Sequence, residues 1–224
     1  MPRGPRNAPG GFIYHVLNRA NGRRTIFETP EDFAAFINVV TESLLVMPTR
    51  LLAYCVLSNH WHFVFWPERE GQLSALLHQM TTTHVRRWHK HRNSEGEGHV
   101  YQGPFKSFPV QDDGHFYTVC RYVERNSVRA NLTPLAQDWV WGSCWARNHV
   151  ADSRSLPLAA WPLPLNDNWD DWVNKPLTEP ELTALRTSTR RGAPYGEPAW
   201  QQKTARRLGI EHTLRAPARR SMPA

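Results

Sequence analysis

Apolar positions in this chain recur with a period of two in some stretches and of three to four in others, and that change of period divides it into elements. The run Tyr54-Cys-Val-Leu-Ser-Asn-His-Trp-His-Phe-Val-Phe-Trp66 reads as two strands joined by a tight Ser58-Asn59 turn, because β-branched and aromatic residues flank turn formers. Its limbs are Arg50 to Leu57 and His60 to Trp66. Upstream, Gly11 to Asn18 reads as a first strand, followed by a polar turn from Arg19 to Arg24 that carries three arginines. A helix then starts with Thr29 as cap, Pro30 at the first helical position and Asp32 placed for a capping box. Phe33, Phe36, Ile37, Val40 and Leu44 give it one apolar stripe, and Pro48 follows its end.

A second helix is expected from about Gln72 to His91, with Leu73, Leu76, Leu77, Met80, His84 and Trp88 inward and a strongly basic far end. Phe105 to Val110 reads as a fourth strand, and Pro109 within it points to an edge or a bulge. The order β-α-β-β-α-β predicts an α+β fold of the ferredoxin-like kind, a four-stranded antiparallel sheet with helices on one face. A third helix is expected from about Asp113 to Ala130. Residues 1–10, rich in Pro, Gly and Arg, read as a loose arm, and 11–150 as the domain. Residues 151–224 read as a Pro/Arg-rich extension held on the domain or on a ligand, with short helices from Thr178 to Arg190 and from Ala199 to Leu208.

Composition narrows the classes. At 224 residues with 40% apolar residues and ten tryptophans, a packed core is within reach. No apolar run approaches the roughly 20 residues that span a bilayer, and no secretory signal is visible, so a cytoplasmic, nucleoid-associated protein is the expectation. Cys55, Cys120 and Cys144 are odd in number and far apart, which disfavours disulfides and CxxC zinc sites. The charge of +7 suits a polyanionic partner, though excess arginine also solubilises a surface.

In a strand with a side-chain period of two, His60 and His62 project from one face while Trp61 and Phe63 take the other. Two such imidazoles can share a metal ion. On the third helix Tyr122 and Asn126 are four apart and stack on one flank of the buried stripe of Phe116, Val119, Cys120 and Val123. Tyr117 falls on the other flank, where its four-residue neighbour Arg121 cannot bind a cation. Tyr122 with Asn126 is therefore the pair that could join a metal site, an amide oxygen to complete it and a phenol to react. The plainer alternative is a buried tyrosine beside a helix-surface asparagine.

Leu57-Ser-Asn-His-Trp-His62, taken with Arg121-Tyr-Val-Glu-Arg-Asn-Ser-Val-Arg-Ala-Asn-Leu132, resembles the single-tyrosine HUH transposases and, more narrowly, the REP-associated tyrosine transposases. Tyr14-His-Val-Leu-Asn-Arg19, Gly103-Pro-Phe-Lys-Ser107 and the tail around Arg190-Arg-Gly-Ala-Pro-Tyr195 resemble the same group. The resemblance implies His60, His62 and Asn126 as ligands of Mg²⁺ or Mn²⁺ and Tyr122 as nucleophile. Its implied partner is single-stranded or hairpin DNA of the repetitive extragenic palindrome type, with the protein a monomer or a homodimer. Trp61 is bulkier than the usual middle residue of the HUH motif, and Ser58 and Ser127 stand where many relatives have proline. Arg19, Arg23, Arg24, Lys106 and Arg129 are candidate phosphate contacts.

The chemistry so implied is attack by a phenol on a phosphodiester, leaving a 5′-phosphotyrosine and a free 3′-hydroxyl. Two other readings compete. One is a ferredoxin-like nucleic-acid-binding module whose histidines and tyrosine are structural. The other is an HUH replication initiator or relaxase, in which the tyrosine often precedes the histidine motif.

Overall fold

The computed structural model describes residues 8–215. Four strands, β1 (Ile13–Arg19), β2 (Arg50–Leu57), β3 (His60–Trp66) and β4 (Lys106–Val110), form one antiparallel sheet in the order β2-β3-β1-β4. Helices α1 (Pro30–Val46) and α2 (Gln72–Arg92) supply the crossovers. The start of α1 follows its sequence: the Thr29 side chain accepts from the Asp32 backbone, and the Asp32 carboxylate accepts from the backbones of Glu28 and Thr29.

The two crossover helices share one face of the sheet, as the ferredoxin-like order predicts, and the third helix covers the other. On one face α1 and α2 bury Tyr14, Val16, Tyr54, Val56, Trp61, Phe63 and Phe65. On the other, α3 (Gly114–Glu124) packs Phe116, Val119, Cys120 and Val123 against Ile13, Cys55, Leu57, Val64 and Phe108. With both faces covered, β2 reads Leu-Leu-Ala-Tyr-Cys-Val-Leu without polar alternation, and those seven residues are all buried. A register shift between Leu51 and Ala53 sends Leu52 and Ala53 to the same face.

The helix expected over 113–130 is interrupted. α3 ends at Glu124, Arg125 flattens to φ −78° and ψ −1°, and a short turn, α4 (Asn126–Arg129), continues the path. Of the expected arm, residues 1–7 lie outside the described residues, and residues 8–10 are held against the domain. Ala8 is buried, the Tyr14 hydroxyl donates to the Pro9 carbonyl, and Gly10 lies so close to the Glu68 backbone that a Cβ would collide with its carbonyl oxygen.

The segment after residue 142 is richer in buried apolar contacts than its composition suggests. It comprises α5 (Ser143–Ala146), α6 (Trp169–Asn174), α7 (Glu179–Arg191) and α8 (Pro198–Leu208). Trp169, Val173, Leu177, Leu185 and Tyr195 join the core beneath α3. This segment also covers both sheet edges. The Ala159 backbone donates to Leu51 of β2, and Tyr195 exchanges backbone hydrogen bonds with Pro109 and Gln111 at β4. Pro109, which has no N–H to give, thus serves an edge through its carbonyl. Of the terminal arginines, Arg219 and Arg220 lie outside the described residues.

Candidate active site

The histidine pair is anchored from behind. Trp61, between the two histidines, points into the α1/α2 core, where its indole N–H donates to the Tyr101 hydroxyl at 3.0 Å. The Tyr101 hydroxyl is in turn hydrogen-bonded to Nδ1 of His84 on α2 at 2.7 Å. The large middle residue is thereby accommodated, and His60 and His62 are turned to the α3 face.

There the two imidazoles stand with centroids 5.1 Å apart, and the ring of Tyr122 meets that of His62 edge to face at 5.7 Å. Asn126 lies one turn beyond Tyr122, its Nδ2 donating to the Tyr122 carbonyl at 2.8 Å. The Arg129 guanidinium joins the two: one nitrogen donates to Asn126 Oδ1 at 2.6 Å and to Tyr122 Oη at 3.3 Å, and its carbon sits 4.7 Å from the Tyr122 ring centre. The described structure thus brings together His60, His62, Tyr122, Asn126 and Arg129. Arg19, which pairs across strands with His60, lies close enough to Tyr122 and Arg129 for electrostatic interaction.

The site is more buried than a sheet-surface position implies. His62 is 2%, Asn126 1% and Tyr122 7% exposed, while His60 is half-buried and Arg129 exposed, so the opening lies on the Arg129 side. Burial pushes the His60 imidazole down to about 3, helped by Arg19 and Arg129, and holds His62 well below its ordinary value. Both imidazoles are therefore neutral near pH 7, the form that binds metal.

The donors fit a cation unevenly. His62 Nε2 is buried without a hydrogen-bond partner, as an imidazole reserved for a metal requires. His60 Nδ1 is paired with Asn59 Oδ1, which fixes its ring. Asn126 Oδ1, the expected third donor, is engaged by Arg129. Among the described residues no group of three or more His, Cys, Asp or Glu side chains is placed to hold a metal ion.

The remaining candidates are scattered. Arg23 is exposed and adds to the positive field at Arg19. Lys106 is exposed on β4, opposite Leu17, which is itself opposite His62. Arg24 is turned to the other side of the sheet, stacked on Trp88 and bonded to the His99 carbonyl. Tyr117 is remote from the histidines. Its hydroxyl donates to the Pro164 carbonyl and its ring packs with Trp161, Trp169 and Trp172.

The outer side of α3 is tied to the C-terminal segment. Arg121 donates to the Pro176 and Lys175 carbonyls and Arg125 to that of Asn174, so two cations meet the negative end of α6. Within, Glu124 is buried and accepts from Ser143, Arg147 and the Trp169 indole. One residue escaped the sequence reading. His15 on β1 is wholly buried and lies against both His62 and Tyr122.

Fold and site together define an α+β sheet protein that sets two histidines of one strand against a tyrosine on a covering helix. Residues 10–126 match the family model described as "Transposase IS200 like", a span that holds His60, His62, Tyr122 and Asn126. The chain belongs to the IS200-like transposase family. No curated protein matches it. Among solved structures, one of a REP-associated tyrosine transposase bound to a REP hairpin is similar at 17% identity and a TM-score of 0.48, covering 75% of this chain and 96% of that one. No described helix is long and apolar enough to cross a membrane.

Proposed function

We propose that this chain is a REP-associated tyrosine transposase that cuts and rejoins single-stranded hairpin DNA through Tyr122. The observation that carries the reading is the meeting of Tyr122 with His62, which sets the one site phenol beside a neutral imidazole with a free nitrogen. The sequence motifs around both residues support the narrower group and its palindromic repeats as target.

Tyr122 Oη attacks the scissile phosphorus, and the bond to the 3′ oxygen breaks. The phenol gives up its proton, the 3′ oxygen gains one, and the products are a 5′-phosphotyrosine and a 3′-hydroxyl. Attack by a new 3′-hydroxyl reverses the step without ATP, since one phosphoester replaces another. Arg129 donates to Tyr122 Oη and has no lone pair with which to take the proton, so its part is to stabilise negative charge on the phenolate and the phosphate. Arg19 adds to the positive field that draws in the backbone.

His60 and His62 would hold a divalent cation, with Asn126 Oδ1 completing the set once Arg129 turns away from it. The chemistry that Mg²⁺ or Mn²⁺ would supply there is neutralisation of phosphate charge. Imidazole and amide donors suit several first-row metals, and the family resemblance favours these two.

The Arg129–Asn126 bond is the observation that favours a second reading, a hairpin-binding module in which the amide is structural. Incubation with palindromic repeats, as single strands and as duplexes, with Mn²⁺ separates the two. Cleavage of the unpaired form alone is expected. Binding without cleavage would favour the second reading, and equal cutting of both forms would point to another class of nuclease.

A further inference from the structure

The proposed chemistry leaves one buried histidine unused. His15 Nε2 lies 2.9 Å from His62 Nδ1, with the two rings stacked at a centroid distance of 5.1 Å and 20° between planes. The strand pairing dictates the meeting: β1 runs antiparallel to β3 with Leu17 opposite His62, so His15 projects from the same face one strand-repeat away. The other two ring nitrogens, His15 Nδ1 and His62 Nε2, are both buried without a hydrogen-bond partner.

One proton lies between the rings, and its owner decides what His62 can do. If His15 donates, His62 carries its own proton on Nε2, and that nitrogen has no lone pair for a cation. If His62 donates from Nδ1, its Nε2 lone pair is free. We propose that His15 is a positioning residue that accepts the His62 Nδ1–H, fixing both the tautomer and the ring orientation in which His62 presents Nε2 to a divalent cation. Ligating histidines generally give their second N–H to a nearby acceptor. Here the acceptor is a neutral imidazole in place of a carboxylate, which brings no charge to the buried His15–His62 pair. The inference rests on the reading of His60 and His62 as the metal pair.

The test is Mn²⁺ affinity of the full-length protein, measured by calorimetry without DNA, for the wild type, His15→Leu, His15→Gln and His60→Ala, with thermal unfolding of each. His15→Leu removes the acceptor and is expected to weaken Mn²⁺ binding about 10- to 100-fold in the folded protein. His15→Gln, whose amide oxygen reaches a similar place, should stay much closer to the wild type. If both variants lower the unfolding midpoint yet bind Mn²⁺ as the wild type does, His15 is a packing residue and the inference fails alone. If the wild type binds no Mn²⁺, or His60→Ala binds it unchanged, the metal-pair reading fails and takes this inference with it. Should His15→Leu not fold, nitrogen-15 spectra of the wild type decide: a proton on His62 Nδ1 supports the role and one on Nε2 overturns it.

Discussion

The rings of His62 and Tyr122 stand at 88° to one another with centroids 5.7 Å apart, the edge-to-face arrangement of a packed aromatic pair. His62 belongs to β3 and Tyr122 to α3, so the contact exists only because α3 lies on the sheet face that carries the histidines. Packing and candidate chemistry share these side chains. Substitutions here are therefore expected to affect both folding and reaction.

His62→Ala should abolish metal-dependent cleavage and also lower stability by about 1–3 kcal/mol, because it removes a buried ring that packs against His15 and Tyr122. His60→Ala, at a half-buried position, should abolish cleavage with a smaller effect on unfolding. Thermal melts and cleavage assays on both variants check this. Equal melting of His62→Ala and the wild type would contradict the burial of the site.

Arg129 holds both the phenol and the amide oxygen, which gives it two separable roles. If its guanidinium stabilises developing charge, Arg129→Gln should slow adduct formation by about 10²- to 10³-fold, the usual loss for one such donor. Arg129→Lys should recover part of the rate. Faster adduct formation in Arg129→Gln at limiting Mn²⁺ would instead show that the arginine obstructs Asn126.

Acid should destabilise the fold through its buried histidines. Burial lowers His15, His60 and His84 to about 3, whereas a histidine in the unfolded chain titrates near 6.5. Below about pH 6.5 the unfolded chain binds protons that the folded chain does not. This contribution is therefore complete above pH 6.5 and is lost progressively toward pH 3. The unfolding midpoint should fall steadily from pH 7 to 4.5, and less steeply in His84→Gln, which lies outside the site. A flat profile over that range would contradict the burial of these rings.

The C-terminal segment should behave as part of the fold. Trp169→Phe leaves a Glu124 oxygen without its indole donor and should cost about 1–3 kcal/mol in chemical denaturation. Truncation near residue 150 exposes the core that Leu177, Leu185 and Tyr195 help to close. It should give an unstable protein rather than a folded one with weaker DNA binding. A truncated chain that melts like the full one would contradict this role and leave the segment as an extension held on a ligand.

Local chemistry made much of this legible in the sequence. The capping box of Thr29 and Asp32 and the turn at Ser58-Asn59 depend on neighbours in the chain, and the structure forms both as the residues suggest. The flank of α3 that carries Tyr122 followed from helical spacing, with Tyr117 on the opposite side. What escaped depends on tertiary pairing. His15 looks like an ordinary strand residue until β1 is set beside β3. Trp161, Trp169 and Trp172 show no regular period, because they fill gaps beneath α3 from separate turns and short helices. The break after Glu124 carried no signal either, since Arg125 is a good helix former.

The most direct test of the central claim is to map the covalent bond. The protein is incubated with a single-stranded palindromic repeat and Mn²⁺, digested, and the DNA-linked peptide sequenced by mass spectrometry. A 5′-phosphoryl link on Tyr122 is predicted, lost in Tyr122→Phe and kept in Tyr117→Phe. A link on Tyr117, or cleavage that persists without any adduct in Tyr122→Phe, would contradict the assignment of Tyr122 as nucleophile.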